Sequence, residues 1–318
     1  MLNTGLVRSF VRASATRLGT ARTLTFIVVA IDAMWLVLGG WSLPWRPVAL
    51  IAVAIVALFL PLSLARYRRD LRIRTTVLGA ALLIAFQAAG AALSYLVVST
   101  NAPLVDASLA SWDRALGFDW VSLHAWLMDH THVQAVLRAA YYSGLAQLVA
   151  VVLFLGFTAR PARLEEFMRL FIAATLMVVL LSGPFPAAGA WKHYAVGSAF
   201  DLSSLSHFEP LRDGRLHEIV LNRMQGLISV PSLHSAMAVL LIYVMRSTHA
   251  YPLFVVLNAA MLASTPIEGG HYLVDVLAGI ALAAVLIAVD RHHAQRSRAT
   301  IDSMSAGLPV LKAAVNER

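Results

Sequence analysis

The sequence predicts an all-α protein, a polytopic transmembrane helical bundle of about eight spans. Only 13% of the 318 residues are charged, about half of the ~25% found in ordinary soluble domains. Hydrophobic residues make up 59% of the chain, and the mean hydropathy is +0.73. A soluble globule of this size would need far more polar surface, so soluble enzymes and disordered or fibrous proteins are excluded.

The predicted spans follow from apolar windows, each close to the ~20 residues that a helix needs to cross a bilayer core. The first window is interrupted only by Asp32, the next four contain no charged residue, and the last three are shorter. In chain order the windows are 23–41, 47–65, 75–100, 139–159, 170–191, 230–245, 251–267 and 272–289. The stretch 101–135 is expected to form interfacial helices, with Asp113 and its tryptophans anchoring the membrane surface.

The distribution of arginine predicts the orientation of these spans. Arginine is concentrated in segments 8–22, 66–74, 160–169 and 291–318, which share one side of an eight-span bundle. The positive-inside rule then places both termini in the cytoplasm and favours the plasma (inner) membrane. This bias also explains the net charge of +8 without nucleic acid, so no nucleic-acid partner is expected. Cysteine is absent, which excludes thiol nucleophiles, thiolate metal sites and disulfides.

The chain divides by composition into four parts. A basic amphipathic segment, 1–22, is expected to lie on the cytoplasmic membrane surface. Transmembrane helices fill 23–100, and a membrane core with polar outer segments occupies 101–290. The hydrophilic stretch 291–318 is expected to be a flexible cytoplasmic tail.

Two of the few ionisable residues in or beside the spans form the first chemical motif. His271 and Asp275 stand four residues apart, so on a helix they would share one face. Asp275 would then bind one ring nitrogen of His271 and leave the other nitrogen free to attack or to accept a proton. Gly269 and Gly270 precede the histidine, so backbone and ligand can approach closely there.

The second motif lies at the start of the sixth span. Pro231 before small and apolar residues marks a helix start, which places Ser232 and His234 near the first turn. Free N–H groups in a first helical turn attract anions. Under the predicted topology, His234 lies at the same outer depth as His271 and Asp275.

Each motif also fits other classes of protein. The His271–Asp275 pair would suit a buried structural hydrogen bond or the proton site of a proton-coupled transporter. Transporters usually place such groups near the bilayer midplane and are built from repeated halves, whereas no repeat is evident here. A zinc site is a weak alternative, because three side chains without a second histidine pair are a poor ligand set.

At these residues the sequence resembles the type 2 phosphatidic acid phosphatase superfamily of integral membrane phosphoesterases. The similarity covers roughly 106–289, and its finer features resemble the branch that includes inositolphosphorylceramide synthases. The motifs that carry it are Trp112-Asp113-x-x-Leu116-Gly117-Phe118-Asp119-Trp120, Pro184-Phe185-Pro186, Gly226-x-x-Ser229-x-Pro231-Ser232-Leu233-His234 and Gly270-His271-Tyr272-x-x-Asp275.

The resemblance implies a lipid phosphatase or phosphotransferase that works through a phosphohistidine. His271 would be the nucleophile, oriented by Asp275, and His234 the general acid and base. Neither a metal nor another cofactor is implied. The expected partners are membrane lipids: a phospholipid or lipid phosphate as substrate, and a polyol such as inositol as a candidate acceptor. With water as acceptor the same chemistry would make a simple lipid phosphate phosphatase.

The chain departs from the family pattern in its phosphate-binding cations. The family's first signature, a Lys followed after six residues by Arg-Pro, is absent, and Thr265 stands where the third signature usually has Arg. Arg223 is the preferred replacement and Lys192 the second. The predicted substrate-binding residues are therefore Ser232, Arg223, Lys192, Gly270 and Tyr272.

Overall fold

Helices account for all of the regular structure in the part of the chain that is described. The computed structural model describes the backbone of residues 4–196 and 205–316, and the side chains of 19–196 and 205–296. Within these ranges the only β-type pairing is an isolated bridge between Ser42 and Glu218. The predicted all-α class is confirmed.

The first half of the chain forms α1 (Thr4–Leu38), α2 (Trp45–Ser63), α3 (Ala65–Arg68), α4 (Leu71–Val98), α5 (Asp106–Ala115), α6 (Trp120–Asp129), α7 (Thr131–Tyr142) and α8 (Gly144–Phe157). The second half forms α9 (Pro161–Ser182), α10 (Ala190–His193), α11 (Phe208–Arg212), a 3₁₀ turn (Leu221–Arg223), α12 (Leu233–Met245), α13 (Tyr251–Glu268) and α14 (Leu273–Asn316).

All eight predicted windows fall largely on helices, namely α1, α2, α4, the α7–α8 pair, α9, α12, α13 and α14. Among the described residues, four helical stretches are long and apolar enough to cross a membrane: Gly19–Leu38, Trp45–Ser63, Leu71–Val98 and Leu273–Arg296. A fifth span results if α7 and α8, which meet at a bend of 48°, count as one. The polytopic helical class therefore stands, and the number of eight spans remains a prediction.

The packing of α2 is typical of a lipid-facing helix. None of its residues is buried, and it exposes large side chains such as Leu50, Val53, Val56 and Leu60. Such a continuous apolar surface is rare on soluble monomers and matches contact with lipid tails.

The centre of the bundle is formed by α4, α8, α9 and α12. Helix α4 packs on α1, α8 and α9, while α12 packs on α9, α13 and α14. Phe86 of α4 meets Phe171 of α9 edge to face, with ring centroids 6.0 Å apart, and both are fully buried. Small residues allow close helix contacts, and a Cβ on Gly156 of α8 would overlap Thr76 of α4.

Both ends of the chain are helical where they are described. Helix α1 runs without interruption from Thr4 into the first predicted span, and the position of segment 1–22 on the cytoplasmic membrane surface stays a prediction. Residues 1–3 and the side chains before Gly19 lie outside the described residues. The predicted flexible tail is instead helical through Asn316.

Candidate active site

The first histidine motif lies at the start of α14. His271 belongs to the short connection between α13 and α14, and the helix itself begins at Leu273. The sequence prediction of two residues on one helical face is therefore wrong in detail. The two side chains still meet, because the connection folds back over the first turn that holds Asp275. His271 Nδ1 lies 3.5 Å from Asp275 Oδ2.

Ser229 and Ser232 complete the surroundings of the His271 ring. Ser229 Oγ donates to Asp275 Oδ2 at 2.8 Å and lies 3.5 Å from His271 Nδ1. On the opposite side of the ring, Nε2 lies 3.5 Å from Ser232 Oγ. Asp275 is fully buried and His271 is 5% exposed. The carboxylate therefore faces Nδ1, and Nε2 is the nitrogen available to a reactant.

The second histidine motif caps α12 and is joined to the first by a backbone hydrogen bond. Ser232 Oγ accepts from Ser235 N at 3.3 Å, and Ser232 N donates to the Asp275 carbonyl at 3.1 Å. Within the described residues the N–H groups of Leu233 and His234 have no partner. Unpaired donors at a helix N-terminus form an anion-binding environment, as the sequence predicted for this turn.

Close packing between α12 and α14 fixes the two motifs relative to each other. Gly279 lies one turn after Asp275, and a Cβ there would overlap the Ser232 carbonyl oxygen and lie 3.0 Å from the Cβ of Ser235. Only glycine allows this approach, so the position of His234 relative to His271 depends on direct backbone contact.

Tyr141 of α7 holds the ring of His234. The two rings stack with centroids 4.2 Å apart, and Tyr141 Oη lies 3.3 Å from His234 Nδ1. The same hydroxyl lies beside Gly269, where a Cβ would come within 2.8 Å of it and within 2.7 Å of His271 Cδ2. Tyr141 was not identified from the sequence, because no motif links α7 to either histidine.

Both histidines line one cavity of about 250 Å³. Its walls come from α4, α9, the stretch 187–189, the stretch 225–229 and the two histidine motifs. The lining residues that are described include no Asp, Glu, Lys or Arg. The walls are mainly apolar, and their polar side chains are Gln87, Ser94, Tyr141, Thr175, Gln225, Ser229, His234 and His271.

The two predicted phosphate-binding cations do not line this cavity. Lys192 Nζ pairs with Glu209 Oε1 at 2.5 Å and lies 5.4 Å from the ring centroid of Phe208. Arg223 is exposed in the 3₁₀ turn. Sequence proximity to the Pro231 motif therefore did not bring Arg223 to the cavity.

Of two further predicted substrate-binding residues, Gly270 lines the cavity and Tyr272 does not. Gly270 lines the cavity with φ of +61°, and its carbonyl accepts from Ala190 N at 2.7 Å. A Cβ on Gly270 would overlap the indole of Trp191, which explains the need for glycine. Tyr272 is fully buried, does not line the cavity, and donates its hydroxyl to Asp106 Oδ1 at 2.9 Å. That arrangement suits a supporting residue better than one that touches substrate.

Asp106 connects Tyr272 with the cavity wall. Its carboxylate accepts from Ala188 N at 2.9 Å and from Gly189 N at 3.0 Å, in addition to the Tyr272 hydroxyl. Asp106 is 6% exposed, so these three hydrogen bonds replace the water that an ionised group would otherwise hold. No local pattern predicts this role of Asp106, since its partners are more than 80 residues away in the chain.

Asp113 caps α14 from a distant part of the chain. Its two oxygens accept from Leu273 N at 2.8 Å and from Val274 N at 3.0 Å, and its side chain is fully buried. The predicted role as a surface anchor is therefore wrong. Burial raises the pKa of Asp113, and the two backbone donors partly offset this by stabilising the carboxylate.

Two indoles fix the segment that leads to His271. Trp120 is 1% exposed, and its Nε1 donates to the carbonyls of Pro266 at 3.1 Å and His271 at 3.0 Å. Trp191 Nε1 donates to the Ile267 carbonyl at 2.8 Å. The segment 106–120 thus supports the histidine segment, and Trp120 is buried inside the protein.

Replacing Asp113 with alanine should destabilise the protein measurably. The change leaves two buried N–H groups at the start of α14 unpaired, a loss on the order of 2 kcal/mol. We expect the melting temperature in detergent to fall by about 5 °C. Asp119→Ala is the matched control, because Asp119 caps α6 through Ser122 N at an exposed site and should cost less. Equal melting of Asp113→Ala and wild type would rule out the capping role.

These features define a polytopic helical protein in which a buried histidine–carboxylate pair and a second histidine meet at one cavity. A family model described as the PAP2 superfamily matches residues 107–289, more than half of the chain. The chain belongs to this superfamily of membrane phosphatases. Comparison with curated proteins gave no significant match. Comparison with solved structures gave none either.

Proposed function

We propose that the protein transfers a phosphoryl-linked head group from a membrane phosphodiester to an alcohol, as in the inositolphosphorylceramide synthase-like branch. The observation that carries this proposal is that the described residues lining the cavity beside His271 and His234 carry no Asp, Glu, Lys or Arg. A phosphomonoester carries about −1.5 to −2 charges at neutral pH, whereas a phosphodiester carries one. Without Lys or Arg in the described lining, a single negative charge is much less costly to bury.

The proposed reaction has two steps. In the first, His271 Nε2 attacks phosphorus, the bond from phosphorus to the leaving oxygen breaks, and His234 donates a proton to that oxygen. In the second, neutral His234 takes the proton of the acceptor hydroxyl, whose oxygen attacks phosphorus and releases His271. Asp275 holds Nδ1–H of His271 in both steps and stabilises the positive charge that the ring carries while Nε2 is bonded to phosphorus.

Phosphate oxygens would be bound by Ser232 and by the unpaired N–H groups of Leu233 and His234. Preorganised donors of this kind act strongly where water is excluded. Charge neutralisation by imidazolium and helix-terminal N–H groups makes the proposed reaction independent of a metal. Arg223 and Lys192 are proposed only as outer cations that attract anionic lipids towards the mouth of the site.

The proposal includes the membrane that holds the protein and the side of that membrane on which the active site lies. The arginine distribution supports a topology in which both termini lie in the cytoplasm. In this topology the protein lies in the plasma (inner) membrane and the two histidines face outside. Membership of a phosphatase superfamily favours this chemistry over proton-coupled transport.

A lipid panel tests the proposed function. Purified full-length protein is incubated with phosphatidic acid, phosphatidylinositol or phosphatidylglycerol, with and without ceramide or diacylglycerol, in EDTA, and the products are identified by mass spectrometry. We expect head-group transfer from the phosphodiesters to exceed phosphate release from phosphatidic acid. Dominant phosphate release would instead establish a simple lipid phosphate phosphatase. Loss of all turnover in EDTA would overturn metal independence.

A further inference from the structure

One polar side chain in the cavity has no assigned role and comes from outside the family region. Gln87 lies in α4, whereas the family match begins at residue 107. Four residues of α4 line the cavity, namely Gln87, Gly90, Ala91 and Ser94. They share one face of the helix because they are spaced at positions i, i+3, i+4 and i+7. Helix α4 therefore forms a wall of the candidate active site.

The other polar side chains on this side of the cavity are satisfied locally. Ser94 Oγ donates to the Ala91 carbonyl at 2.7 Å, and Thr175 Oγ1 donates to the Phe171 carbonyl at 2.9 Å. Gln225 Oε1 accepts from His207 N at 2.9 Å, and its Nε2 donates to Ser206 Oγ at 2.8 Å.

Gln87 differs from these neighbours, because no group among the described residues hydrogen-bonds its amide. Gln87 is half-buried and its amide is not among the fully buried unpaired polar atoms, so the amide is open to the cavity, where a bound ligand can pair with it. An amide has two donors and an accepting oxygen, the complement of neighbouring hydroxyl groups. A charged ligand group would find no opposite charge in the described lining.

We propose that Gln87 binds the neutral, hydroxylated part of the ligand, opposite the phosphoryl group at the histidines. The inference rests on the proposed function in one respect, that the phosphoryl group lies between His271 and His234. A cavity of about 250 Å³ is just below the roughly 300–1,000 Å³ typical of drug-sized ligands, so it suits a head group and not a whole lipid. Gly90 and Ala91 leave room for that group beside the amide.

The hydroxyl groups can belong to the head group of the donor lipid or to a free acceptor, and the test separates the two. Binding is measured in the full-length His271→Ala variant, which holds lipids without turnover. Phosphatidylinositol, phosphatidylglycerol and phosphatidylethanol with identical acyl chains compete for the protein, and the bound lipids are quantified by native mass spectrometry. The three lipids carry the same charge, and phosphatidylethanol lacks the extra hydroxyl groups.

We expect the hydroxylated lipids to bind about five- to tenfold better than phosphatidylethanol, and Gln87→Leu to abolish the difference. Gln134→Leu makes the same chemical change outside the cavity and should keep the preference. If the three lipids bind equally but free inositol protects the protein from unfolding only when Gln87 is present, the group belongs to the acceptor. A preference unchanged by Gln87→Leu, or no preference and no protection, overturns the inference. The proposed function fails separately, through the lipid panel.

Discussion

Replacing His271 with alanine should abolish turnover, with a loss on the order of 10³-fold or more, because the variant lacks the nucleophile. The protein should still fold, since the ring makes only long contacts of 3.5 Å with Asp275, Ser229 and Ser232. The measurement is lipid turnover by purified protein, together with trapping of labelled, base-stable phosphohistidine from a phosphoryl-labelled donor.

His132→Ala is the matched control for this variant. His132 is exposed on α7, does not line the cavity and is the same residue type on the same predicted side of the membrane. It should retain wild-type turnover and labelling. If His271→Ala kept its activity or its covalent label, another residue would be the nucleophile and the proposed mechanism would be wrong.

Asp275→Asn should lower turnover by on the order of 10²- to 10⁴-fold with little change in shape. The amide can donate to His271 Nδ1, which shifts the ring proton to Nε2 and removes the lone pair that attacks phosphorus. The negative charge that stabilises the phosphorylated imidazole is lost as well. Turnover and melting temperature of the purified variant separate a catalytic loss from a folding loss.

The control for this substitution lies on the same helix. Asp290 pairs with Arg169 at 2.7 Å far from the cavity, and its side chain is partly exposed. Asp290→Asn removes only this ion pair, which is worth about 0–1 kcal/mol, so turnover should stay close to that of wild type. A wild-type rate for Asp275→Asn would mean that the His271–Asp275 pair is structural.

The parts of the site that the sequence predicted are those encoded by local spacing. Ser232 was placed at a helix start by Pro231, and the structure has it as the cap of α12. His271 and Asp275 were expected to meet, and they do, although His271 precedes the helix. The apolar windows likewise located the helices, because burial in lipid leaves a strong compositional signal.

The supporting residues escaped prediction because their partners are distant in sequence. Asp113 and Leu273 are 160 residues apart, and Trp120 and His271 are 151 apart. The spacing of hydrophobic residues along the sequence does not indicate pairs so far apart. Asp113, which follows a tryptophan, was therefore predicted to be an interfacial anchor. Gln87 was not predicted for a related reason, since a lone glutamine in an apolar helix belongs to no motif until the fold places it in the wall of the cavity that the histidines line.

The contact at Gly279 has a consequence for how a lipid reaches the site. The backbones of α12 and α14 are in direct contact there. The two histidines therefore keep their relative position only as long as these two helices stay packed together. A ligand that enters the cavity therefore cannot pass between these two helices without separating the two histidines.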